Sequence, residues 1–297
     1  MKPADVGIAV MVAVIWGLAF VASRIALDEL PPELMTAMRF GIAAIPCLFV
    51  RRPKQVSWPL LIGISFTLFL GQFLAQSIAI AHGVPVGLTS VIVQSQALFT
   101  IGLAALIFSE VPSRMQAIGI AISAIGLLMI CGTVGYDFSV TAFAILMISP
   151  ISFAVGNLLL RPAQGARMFD LFAWLCLCAA IPLFALSFVT IGAQPMWQAL
   201  THMSLPVIVS LIVIGAISTS IAYWLWGRLL RDYPAAQVVP FALLVPFVGS
   251  AASSIVFGER FGPLRLAGMI TVIGGIAVML LAKRPKALPQ KPLPKTA

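Results

Sequence analysis

Residues Pro85–Gly126 read PVGLTSVIVQSQALFTIGLAALIFSEVPSRMQAIGIAISAIG: an apolar run, a break at Ser109-Glu110-Val111-Pro112, then a second apolar run. A shift of 149 residues carries this stretch onto Pro234–Gly275 and repeats its plan. Pro85 falls on Pro234, Phe108 on Phe257, Glu110 on Glu259, Gly119 on Gly268 and Gly126 on Gly275. In each copy a proline opens the unit, a glutamate ends the first helix, and two glycines share a face of the second. The chain has only four glutamates, and two of them fall on the same punctuation. The full unit, Ala81 to Ile130 and again Leu230 to Met279, is a duplication that the rest of the chain must accommodate.

Composition sets the class. The 297 residues are 61% hydrophobic and 9% charged, with mean hydropathy +1.09. Water-soluble domains carry about a quarter charged residues, so this chain is an all-α integral membrane protein. Ten apolar spans of bilayer-crossing length are expected near 4–27, 33–50, 58–81, 85–108, 113–132, 140–160, 170–192, 204–228, 235–257 and 263–282. The breaks between them are short and rich in Pro, Gly and Arg, too short to form a domain outside the membrane. The longest connection, 193–203, carries Trp197, a suitable interface anchor. Lys2 and the apolar run after it resemble a secretory signal, but the repeat requires that run as the first helix. Cys47, Cys131, Cys176 and Cys178 read as small core residues.

Net charge +9 could suggest nucleic acid, but its placement says otherwise. With the N-terminus inside, the inner segments hold fourteen basic residues and the outer ones three. That bias places both termini in the cytoplasm and makes the basicity a topology signal. No nucleic-acid partner is expected; lipids and a small solute are, and a monomer is the expected unit.

The repeat extends upstream. Ile15-Trp16-Gly17…Arg24 meets Ser152-Phe153-Ala154…Arg161, and Ala44-Ile45-Pro46 meets Ala180-Ile181-Pro182. The chain therefore divides into residues 1–137 with helices one to five, residues 138–282 with helices six to ten, and a basic tail, 283–297, expected to be disordered. Five is odd, so the second copy enters the membrane from the opposite side and the repeats are inverted. Inverted repeats recur in secondary transporters, with the site near the midplane between the halves.

Trp16-Gly17-Leu18-Ala19-Phe20, Arg39-Phe40…Ala43, and Glu110…Gln116-Ala117-Ile118-Gly119…Gly126 with its echo Gly258-Glu259…Gly268…Gly275 resemble the EamA signature of the drug/metabolite transporter superfamily. Within that superfamily the chain looks most like the YddG-type bacterial exporters of aromatic and other amino acids. The resemblance implies ten helices around a central cavity, alternating access and export of small metabolites. Phe153-Ala154 in place of Trp-Gly, and Arg265 in place of glutamine, depart from that pattern in the second half.

Polar groups in hydrocarbon are costly and mark candidate sites. Gln72 and Gln76 share a face of helix three, Gln94 and Ser95 lie with Gln96 in helix four, and Asn157 lies mid-span in helix six. With Trp16, Tyr223 and Trp224 they suggest an uncharged, hydrogen-bonding cavity with aromatic walls, suited to a zwitterion bearing an apolar side chain. The competing reading is interhelical hydrogen bonding. Arg39, the one charge well inside a span, could meet a substrate carboxylate or brace backbone carbonyls near the outer face; bracing is the expectation. Glu110 and Glu259 are expected to cap or ion-pair, and the four repeat glycines to permit close helix packing.

No phosphate loop, hydrolase elbow or metal motif is present, so enzyme, cofactor and metal readings fall away. No filter-like charged ring favours a small-solute channel. Export of drugs or other metabolites stands as the alternative, and nucleotide-sugar exchange would require more cavity cations than Arg39. All nine carboxylates lie near span ends or in loops, so transport without obligatory proton exchange is expected.

Overall fold

The computed structural model describes residues 1–135, 137–163 and 165–281; the expectation for the basic tail falls outside them. The long helices are α1 (Pro3–Ala26), α2 (Pro32–Ala44), α3 (Trp58–Ala81), α4 (Val86–Phe108), α5 (Arg114–Cys131), α6 (Val140–Ala163), α7 (Met168–Ile191), α8 (Leu205–Asp232), α9 (Val239–Phe257) and α10 (Pro263–Leu281). Among the described residues, nine are long and apolar enough to cross a bilayer unaided. The exception is α2, which stops at Ala44 rather than near residue 50 and continues as a 3-10 turn, Ile45–Leu48. Pro46 lacks the N–H that an α-helix would need there. The fold is all-helical, two five-helix repeats in one ten-helix bundle.

The packing carries the duplication. Exchanging the halves maps α1 onto α6, α3 onto α8 and α4 onto α9. Accordingly α1 packs on α9 as α6 packs on α4, and α3 packs on α6 as α8 packs on α1. The self-related pairs α2–α7 and α5–α10 also pack along their lengths. Gly17 shows why a small residue follows Trp16: a Cβ there would lie 2.6 Å from the Val248 Cβ on α9.

Irregular backbone is also duplicated. Ser65–Gly71 in α3 and Val213–Ile221 in α8 are wound as π-helix. The widened turn frees carbonyls, which hydroxyls answer: Thr219 Oγ1 donates to the Ile214 carbonyl five residues back at 2.7 Å. Similarly, α4 tightens to 3-10 at Val93–Ser95, and α9 opens with a 3-10 turn at Val239–Leu243. Such interruptions concentrate at functional sites.

The connection after α7 differs from the expected loop. Gly192, at φ +84°, breaks α7, and Ala193–Thr201 forms a short amphipathic helix. Met196, Ala199 and Leu200 pack on the core while Trp197 points outward. The cysteines are free; Cys176 is buried, whereas Cys131 lies on the surface rather than in the core.

Candidate functional site

A cavity of about 390 Å³ lies among α1, α2, α3, α4, α6, α8 and α9. Its floor and walls are set by the irregular segments. Gln72 is the first residue after the α3 π-segment, and Tyr223 follows the α8 π-segment by two residues. Gln94 lies inside the α4 3-10 turn, and its amide nitrogen donates to the Ala242 carbonyl in the α9 turn at 3.1 Å.

Of the residues proposed from sequence, Trp16, Gln72, Gln76, Gln94, Asn157 and Tyr223 line this cavity together. Trp16 donates through Nε1 to the Ser218 carbonyl at 3.2 Å, and its ring lies 5.3 Å from Tyr223 and 5.0 Å from Trp226, centroid to centroid. Two other residues fall elsewhere. Ser95 is buried behind the wall, its hydroxyl without a partner. Trp224 is 51% exposed and belongs to a second recess, which opens beside Arg167, Arg228 and Arg231. Trp226 takes its place in the aromatic wall, and Gln96 takes that of Ser95. Tyr223 and Trp226 are three residues apart and share one face of α8, whereas Trp224, next to Tyr223, stands about 100° away from it.

Several polar atoms in the wall have no protein partner. Gln72 Oε1, Gln96 Oε1 and Ser218 Oγ are buried and unbonded among the described residues. Arg39 also lines the cavity, the less expected of its two readings from sequence. Among the described residues it braces no carbonyl; its Nε donates to Thr219 Oγ1 at 3.0 Å, and its guanidinium lies 4.0 Å from the Phe73 ring centroid.

The two ends of the bundle are built differently. Glu259 caps α4: the Val86 and Gly87 N–H groups donate to its two carboxylate oxygens at 2.6 and 2.9 Å. A carboxylate there satisfies orphan donors and meets the positive end of the helix dipole. Around it the closure is tight, since a Cβ on Gly87 would lie 2.7 Å from the Phe261 ring. Its equivalent, Glu110, is exposed and accepts two hydrogen bonds from Arg161 at 2.7 and 3.2 Å. Those bonds hold the Glu110 carboxyl below its ordinary range. The first half of α4 packs on α9, but Gln96–Phe108 and Val239–Leu243 make no matching seam among the described residues.

This bundle, with its duplicated irregular helices and a polar cavity between the halves, is that of a multi-pass membrane transporter. The chain belongs to the EamA-like transporter family, whose model matches residues 6–132 and again 140–281. It is 33% identical over 291 residues to a Salmonella typhimurium protein named "Probable amino-acid metabolite efflux pump", covering 96% of this chain and 97% of that one. An Escherichia coli protein of the same name is 32% identical over 291 residues, again covering 96% and 97%. A "Probable terminal-alkyne amino-acid exporter" of Streptantibioticus cattleyicolor is 25% identical over 286 residues, with 93% and 92% covered. A crystal structure 16% identical in sequence superposes with a TM-score of 0.63 over 97% of this chain and 99% of that one.

Proposed function

We propose that this protein exports amino acids, large neutral and aromatic ones foremost, and related small metabolites across the bacterial cytoplasmic membrane. The observation that carries this reading is the central cavity, rich in amides and aromatic rings, in a chain a third identical to proteins named as amino-acid metabolite efflux pumps. Trp16, Gln72, Gln76, Gln94, Asn157 and Tyr223 form the substrate site, joined by Gln96 and Trp226. Amides suit the backbone groups that every amino acid shares, and the aromatic wall takes varied side chains at about 25 cal/mol per Å² of apolar surface buried.

Transport proceeds by alternating access between repeats 1–137 and 138–282. The asymmetry of Glu259 and Glu110 supports this: one latch is engaged and its repeat equivalent is not. In the opposite state Glu110 caps the start of α9 and Glu259 is released. The fourteen-to-three charge bias supports a cytoplasmic position for both termini and for the open end beside Arg161. The test is counterflow in proteoliposomes against a panel of amino acids, with and without a pH gradient. Exchange of neutral amino acids without stoichiometric proton movement is expected; exchange of none of them would overturn the reading.

A further inference from the structure

Among the described residues two arginines are buried alike, each 5% exposed, and these residues answer the charge of only one. Arg265 is gripped by Asp137, with Nη1 to Oδ2 and Nη2 to Oδ1 both at 2.7 Å. Arg39 has no carboxylate partner among the described residues. It lies in the cavity wall with one hydrogen bond, from Nε to Thr219.

A buried cation without a counter-charge is strongly disfavoured, and inside a bilayer protein such a residue is retained for function. Its surroundings hold it in one pose. The Thr219 bond fixes the Nε edge, the Phe73 face lies against the guanidinium, and Gly215 lets α8 approach closely. A Cβ on Gly215 would lie 2.9 Å from the Arg39 carbonyl oxygen. The two terminal nitrogens keep their donors, a fork that matches the geometry of a carboxylate. The same cavity wall holds the opposite chemistry, since Gln72 Oε1 and Gln96 Oε1 are buried acceptors without donors. A carboxylate would supply what Arg39 lacks, and an ammonium what the amide oxygens lack.

We propose that Arg39 anchors the substrate carboxylate while Gln72 and Gln96 receive its ammonium group, so that an amino acid binds in one fixed orientation. This rests on the amino-acid reading of the cavity. It makes Arg39 the residue that separates α-amino acids from amines and carboxamides of the same shape.

The experiment is counterflow of L-phenylalanine and of L-phenylalanine amide in proteoliposomes, using the wild type, Arg39→Gln and Arg39→Lys. The wild type should move the acid about ten- to a hundred-fold faster than the amide, the range of a charge-assisted hydrogen-bonded pair. Arg39→Gln should lose that factor on the acid and keep amide transport near the wild-type rate, which also shows that it is folded. Arg39→Lys should keep a reduced preference for the acid. A wild type that moves both equally overturns the carboxylate anchor and leaves amino-acid transport standing. A wild type that moves neither overturns both. Equal loss of acid and amide in both variants marks Arg39 as structural and overturns the proposal.

Discussion

Ser123 on α5 and Val272 on α10 hold equivalent places in the two repeats, and the Ser123 hydroxyl donates to the Val272 carbonyl at 3.2 Å. A residue meets its own equivalent only where a two-fold axis passes. The glycines around the pair exchange accordingly. A Cβ on Gly119 would lie 2.6 Å from the Gly275 carbonyl oxygen, and one on Gly126 would lie 2.7 Å from that of Gly268. Two helix backbones touch at the axis, and the glycine spacing seen in sequence is the reason they can.

Enlarging that seam should cost more than removing its hydrogen bond. A side chain at Gly126 would meet the Val272 nitrogen at 2.6 Å and the Gly268 carbonyl oxygen at 2.7 Å, backbone that cannot swing aside, so Gly126→Leu is expected to cost about 3 kcal/mol or more, at the upper end of overpacking effects. Ser123→Ala should cost about 1 kcal/mol. Thermal unfolding in detergent measures both, and a Gly126→Leu protein as stable as the wild type would contradict the axis contact.

Asp137 and Arg265 give a pH signature. The hydrogen bond from Arg265 holds the Asp137 carboxyl below its ordinary value, with the charge of Arg265 adding to it against burial. A folded pKa below the unfolded one means stabilisation that is complete above about pH 4 and lost as pH falls through the folded value. Asp137→Asn should therefore lower stability at pH 7 by about 1 kcal/mol, a figure kept small because Asp137 is half exposed. The gap to the wild type should close on acidification, and a gap that is constant across pH would refute the linkage.

The bundle was legible in the sequence because bilayer length and the repeat both leave their mark in apolar spacing. The amides were legible too, since Gln72, Gln76, Gln94 and Asn157 stand out in hydrocarbon and all four reach the cavity. Trp224 was named for its residue type beside Tyr223, but neighbours on a helix stand about 100° apart, and Trp226, three residues from Tyr223, shares the cavity face. Arg39 was visible as a charge, but its nearness to Thr219, 180 residues away, follows only from α2 packing on the π-segment of α8. Ala193–Thr201 was hidden by its brevity, having nine residues and a single apolar face.

The latch at Glu259 should set the balance between the two ends. Removing its charge while keeping its shape, Glu259→Gln, weakens a charge-assisted cap worth about 1–2 kcal/mol, enough to move a two-state population roughly ten-fold. Spin labels at the exposed loop positions 82 and 260 report the separation at that end. Glu259→Gln should shift the distances towards longer values; an unchanged distribution would remove Glu259 from the gating account.

Orientation is tested at Trp197, which is 68% exposed on the short helix after α7. A cysteine placed there should react with an impermeant maleimide in intact cells. Labelling only from the cytoplasmic side would invert the assigned topology.

On the proposed reading the cavity itself recognises the transported amino acid, its amides holding the shared backbone and its aromatic wall the side chain. Counterflow of a bulky and a small neutral amino acid through Gln76→Ala and Trp16→Ala proteins in liposomes tests it most directly. Gln76→Ala should slow both substrates alike, by about ten-fold for a lost hydrogen bond of 1–2 kcal/mol. Trp16→Ala should slow the bulky substrate several-fold more than the small one. Two variants that carry both substrates at the wild-type rate would contradict the claim.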